Sequence, residues 1–230
     1  MTDYMLRMKV ADDSRRLVDL YAPWDFRVDS FERVREYVNG GGAVTPEVLV
    51  NAGVFSLFNP QSQYTNVRPL YDKAAETQGE ITGRVRTAVE TLDALKHTHD
   101  AKVDGYSDPA GAAKAYYASA YLVYTGLPGD RDIFIKGIED NTPASGQPNA
   151  TVSSAVIANV GIYMLTRPKQ EDAARCARLM ERFRETRPDV TQTVLDAVKS
   201  LETLRGLIPE DQRGLPDPTT QTNGAGRRRV

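Results

Sequence analysis

Three groups of side chains have the types and spacing to do chemistry: His97, His99 and Asp100; Asp130 and Asp132 around Arg131; and the row Arg175, Arg178 and Arg182. Imidazoles and carboxylates are metal ligands, and two histidines two residues apart can face one ion from an extended segment. On a helix they diverge by about 200°, at 3.6 residues per turn. One short cluster supplies too few ligands, so it reads first as a polar helix terminus whose imidazoles meet exposed carbonyls. No metal and no cofactor are expected. Asp130 and Asp132 beside Arg131 read as a solvated turn.

The arginine row has more to offer. The stretch from Arg167 to Arg187 holds seven basic residues and four acidic ones, and Arg175, Arg178 and Arg182 fall along one flank of a helix. Guanidinium forks pair bidentately with phosphate oxygens and would grip a nucleic-acid backbone without reading its bases. The competing reading is a solvated face whose arginines pair with Glu171, Glu181 and Glu185.

Other catalytic patterns fail on the residues themselves. Gly40, Gly41 and Gly42 are followed by no lysine that could complete a phosphate-cradling loop, and they read as a turn. The sequence contains no dinucleotide fingerprint, metalloprotease helix or serine elbow. Cys176, the single cysteine, lies on an apolar stripe where a thiol packs as a small hydrophobe. One cysteine also excludes a disulfide framework and fits a reducing compartment.

Tyrosine is over-used: eleven against six phenylalanines and one tryptophan. Tyr116, Tyr117, Tyr121 and Tyr124 crowd one predicted helix and span more than one of its faces. They cannot all enter one core, so part of the set is expected to meet another helix or another molecule.

The elements that position these groups read as helices. A short helix is expected from Asp12, stopped by Pro23, and a second after Ser30 as its cap, ended by the glycine triplet. Thr45, Pro46 and Glu47 open a third, and Val54 to Pro69 reads as an irregular connector. The strongest signal is the four-three seam Val67, Tyr71, Ala74, Gln78, Ile81, Val85, Ala88, Leu92 and Leu95, apolar except at Gln78. It predicts one long packed helix, in which Gly79 and Gly83 mark either a close neighbour or a bend. Asp108-Pro109 opens the tyrosine helix. Asp130 to Asp140 is short enough to be helix or strand. The apolar run from Val152 to Leu165 should be a central helix. Two more helices follow, one with the buried stripe Cys176, Leu179, Met180 and Phe183, the other with Val190, Val194, Ala197, Leu201 and Leu204.

The expected fold is therefore all-α, a helical bundle with one long central helix. Residues 1–11 form an N-terminal arm, 12–206 the helical domain with a possible internal boundary at the loop 141–149, and 207–230 a disordered tail ending in Arg227, Arg228 and Arg229. The opening residues have no secretory-type apolar core, and the longest apolar run is too short for a membrane span; no membrane partner and a cytoplasmic location are expected. With 40% apolar residues in 230, a real core can form, and the formal charge of −2 excludes binding to nucleic acid by bulk charge. Small clusters repeated over many copies could still add up along a polyanion. In general plan, with one helical domain, a terminal arm, local arginines and no catalytic signature, the chain resembles helical-virus coat and nucleocapsid proteins. That likeness implies a non-enzymatic, self-associating subunit coating single-stranded nucleic acid, located in a virion. A protein-binding adaptor and a helical enzyme assembled from dispersed residues are the alternatives.

Overall fold

Every residue from Ser154 to Tyr163 is buried, and a helix that is apolar all round must sit inside other helices. The computed structural model describes residues 3–20, 22–58, 64–98, 109–124, 130–142 and 152–207. These form nine helices: α1 (Asp3–Val18), α2 (Trp24–Asn39), α3 (Pro46–Phe58), α4 (Tyr64–His97), α5 (Pro109–Tyr124), α6 (Arg131–Asn141), α7 (Ser154–Met164), α8 (Gln170–Thr186) and α9 (Pro188–Arg205). No strand occurs among the described residues. Helix α7 touches α4, α5, α8 and α9; α1 packs on α2 and α3, α2 also meets α4, and α6 packs on α5 and α8. The architecture is all-α, with α4 as the long helix.

Two N-terminal boundaries differ from the sequence expectation. Helix α1 starts at Asp3, so most of the stretch assigned to an arm is its first half, and Val10 there is already buried. Helix α2 starts at Trp24 rather than after Ser30. Ser30 is fully buried in mid-helix, where its hydroxyl donates to Asp13 Oδ1 at 3.4 Å while Arg33 grips the same carboxylate with two bonds of 2.9 Å. A long-range anion took the serine that local capping rules had claimed.

Helix α3 opens as its cap residues dictate, with Val48 N–H donating to Thr45 Oγ1 at 3.3 Å. It then runs on to Phe58 through residues expected to be a connector. Val54, Phe55, Leu57 and Phe58 are all buried, and burial outweighs weak local propensity. Gly53 permits the close approach of α4: a methyl added there would lie 2.2 Å from the Tyr71 hydroxyl.

Helix α4 bends where its seam breaks. Gln78 leaves helical geometry (φ −146°, ψ 55°), and its side-chain amide donates to the Val44 carbonyl at 2.6 Å. Gly79 and Gly83 face open space, with no atom within 4 Å of an added methyl. Of the two readings for these glycines, the bend holds and the close neighbour does not. The ambiguous Asp130–Asp140 segment is helix α6, burying Ile135 and Ile138 three residues apart. Helix α8 buries the stripe expected of it, and α9 buries Val194, Ala197, Leu201 and Leu204 of its stripe while Val190 is half-buried. The loop 143–149 and the tail from residue 208 lie outside the described residues.

Candidate functional site

The arginine row on α8 is a clamp on α6. Arg175 holds the Glu139 carboxylate with bonds of 3.0 and 2.6 Å and also pairs with Asp132. The Glu139 bond first, with the Asp132 bond added and burial opposing both, holds the guanidinium well above its ordinary range. Arg182 donates to the Thr142 carbonyl at 2.6 Å and the Glu139 carbonyl at 3.4 Å. Arg178 is exposed. The row thus offers solvent one full guanidinium rather than three. Of the acids that sequence spacing suggested, Glu181 meets Arg184, at 3.1 Å.

Arg131 corrects a second expectation. Instead of standing in a solvated turn it is 5% exposed, and its Nη2 donates to the Leu20 carbonyl just past α1 at 2.6 Å. The same pattern recurs. Lys96 Nζ donates to Leu57 O in the last turn of α3 at 2.7 Å, and Arg205 Nη2 donates to Leu165 O at the end of α7 at 3.0 Å. With Arg182 on α6, several helix C-termini receive a cation from a distant part of the chain. Carbonyls at a helix C-terminus lack intrahelical donors and carry the negative end of the dipole, so a buried cation there is doubly placed. No local motif encodes it, because donor and acceptor are some 40 to 111 residues apart. Burial lowers the Lys96 ammonium to about 8, against a partial rise from Asp93; the Tyr124 ring centroid lies 5.0 Å from its Nζ.

Of the metal-type cluster, only His97 lies among the described residues. His97 ends α4 with Nδ1 2.9 Å from the Asp93 carbonyl, while His99 and Asp100 lie outside the described residues. Among the described residues no group of three metal-ligand side chains converges. Cys176 is fully buried, and its thiol is pushed up to about 12, chiefly by burial and then by Asp172. Tyr163, also inaccessible, donates to Asp172 Oδ2 at 3.3 Å and titrates well above its usual range, from burial first and the carboxylate second. Neither is poised as a nucleophile.

The tyrosine helix splits as its crowding required. Tyr116 and Tyr124 are half-buried against the core. Tyr117 and Tyr121, one turn apart, are 61% and 51% exposed. Tyr121 stacks on Phe134 of α6 at 5.6 Å and 18°, and the adjacent Ile133 is 63% exposed. Large apolar side chains are thus held out by both helices of the α5–α6 pair.

An open groove of about 610 Å³ follows the bend of α4 along α9, lined by Gly79, Gly83, Thr87, Thr193, Asp196 and Ser200 among others. Its carboxylates, Glu80 and Asp196, have no histidine or cysteine beside them. Among the described residues, no helix is long and apolar enough to cross a membrane. No protein-family model matches the chain, and no curated protein and no solved structure is significantly similar to it.

Proposed function

We propose that the chain is a non-enzymatic assembly subunit that self-associates through the α5–α6 face, with single-stranded nucleic acid as the polyanion its array would coat. The observation that carries the reading is Tyr117, Tyr121 and Ile133 standing 61%, 51% and 63% exposed on two adjacent helices, with Tyr121 stacked on Phe134. Aromatic and aliphatic side chains clustered on a surface favour a protein contact over solvation. Tyrosine suits that contact because its ring buries area while its hydroxyl finds a partner.

The nucleic-acid part rests on arithmetic over copies. Arg178 contributes an exposed guanidinium per subunit, while Arg175 and Arg182 are engaged by α6. Such a contribution is small for one chain and additive along an array.

The test is the mass of the purified chain by light scattering together with its absorbance ratio at 260 and 280 nm. The reading predicts particles of many subunits with copurified nucleic acid. Arg178→Glu should reduce the salt dependence of binding to a single-stranded oligonucleotide while leaving the melting temperature unchanged. A strict monomer free of nucleic acid would reject the proposal.

A further inference from the structure

The bend of α4 leaves a groove with few large side chains in it. Past Gln78, where the chain departs from helical geometry, α4 runs beside α9, and apart from Glu80, Arg84 and Asp196 no residue lining the space between them is larger than threonine. Gly79 and Gly83 are exposed along it, one turn apart, while Ala88 and Ala197 are buried. A methyl added to either glycine would meet no atom within 4 Å. Glycine weakens a helix interior, and here no neighbouring element among the described residues packs into the room it leaves. The groove's volume of about 610 Å³ is enough for several side chains of another molecule.

We propose that this groove receives the α5–α6 face of a second copy of the chain, with Tyr117, Tyr121 and Ile133 of one subunit entering between α4 and α9 of the next. This contact presupposes the self-association proposed above and supplies the surface that the exposed face meets. The shapes are reciprocal: large exposed side chains on one patch, a groove lined by small residues on the other. The polar groups match as well. Tyrosine hydroxyls take hydrogen-bond partners when their rings are covered, and Thr87, Thr193 and Ser200 bring hydroxyls to the groove. The Arg84 guanidinium there suits the face of a tyrosine ring. Charge agrees, since Lys114 is exposed one turn before Tyr117 and the groove carboxylates Glu80 and Asp196 outnumber its one cation. Helix α5 packs on α6 and α7, whereas α9 packs on α3, α4, α7 and α8, so the two patches belong to different helices. A contact between unlike patches is heterologous and builds a ring or a filament rather than a closed dimer.

The experiment is sedimentation velocity of the full chain carrying Gly83→Arg, alone and mixed with a Tyr121→Glu, Ile133→Glu variant, beside the wild type. Gly83→Arg fills the groove with bulk and with a charge like that of Lys114. The fold accommodates it, because the position is exposed, helical and without a neighbour. The expected result is large species for the wild type and a monomer for each variant alone. An equal mixture of the two variants should form a dimer holding one chain of each, because an intact face then meets an intact groove once. Should Gly83→Arg fail to fold by circular dichroism, Thr193→Arg, at an exposed position of α9, takes its place. A groove variant that still self-associates, or a mixture that stays monomeric, overturns the groove assignment while the α5–α6 face keeps its role. A wild type that is monomeric throughout overturns the face and the groove together.

Discussion

Lys96 illustrates how much a single buried cation can ask of this fold. Its ammonium is held at about 8 rather than 10.5, so keeping it charged at neutral pH costs on the order of 3 kcal/mol relative to the unfolded chain. Between those two values the unfolded chain keeps a proton that the folded one has shed, and stability therefore rises with pH from 8 upwards. The half-buried Tyr37 and Tyr124 and the buried Tyr163 work the other way, but only near and above 10, where their unfolded hydroxyls begin to ionise. Urea unfolding between pH 8 and about 9.5 should show wild-type stability climbing and Lys96→Met nearly flat; parallel curves would show that Lys96 is solvated. The arginine row makes a second contrast. Arg182→Ala removes the donor to Thr142 O and Glu139 O and should cost about 1–2 kcal/mol. Arg178→Ala should stay within about 0.5 kcal/mol of wild type. Equal losses in the two variants, measured by chemical denaturation, would contradict the clamp. Residue types and spacing were enough to place these arginines on one helix. Their partners were not legible, since Glu139 sits on α6 and Thr142 just past its end, and only the packing of α6 on α8 brings them within reach.

Among the elements, glycine separates close packing from open space. Gly161 lets α9 approach α7, where an added methyl would fall 2.4 Å from Val194 Cγ1. Gly161→Ala should therefore destabilise the chain by about 1–3 kcal/mol. Gly83 has no atom within 4 Å of that position, so Gly83→Ala should stabilise α4 by about 0.5–1 kcal/mol. Thermal unfolding of the pair reads both signs at once, and matching signs would contradict the packing described. Most of the α4 seam was legible, with Ile81 and Leu95 half-buried and the helix starting earlier than expected, at Tyr64; its flaw was legible too, since Gln78 is the polar interruption in the repeat and also the site of the bend. The stripes of α8 and α9 were legible for the same reason, a sustained period over four or five turns. What local signals missed were starts and continuations. Ser30 carries the signature of a cap but is used against Asp13, and the run from Val54 to Phe58 continues a helix because every one of those side chains finds a buried neighbour.

At the scale of the whole molecule, α7 is enclosed by its neighbours, and exposed large apolar side chains gather on the α5–α6 pair, with others on α1 (Met5, Leu6), on α2 (Val28) and at Leu207. Tyr117, Tyr121 and Ile133 of that pair account for three of the large hydrophobics most exposed among the described residues. The crowding of four tyrosines on one helix announced that part of the set would face outward; which two did so depended on the core packing that half-buries Tyr116 and Tyr124, the latter beside Lys96 of α4. An exposed face that meets a different surface on the next copy builds an open array, whereas one that meets itself closes as a dimer. The most direct measurement is sedimentation velocity over a wide concentration range, comparing wild type with an Ile133→Glu, Tyr121→Glu double variant whose circular dichroism and melting temperature are unchanged. The account predicts large, concentration-dependent species for the wild type and a monomer for the variant. A wild type that sediments as a monomer throughout, or a variant that assembles as fully as the wild type, would contradict it.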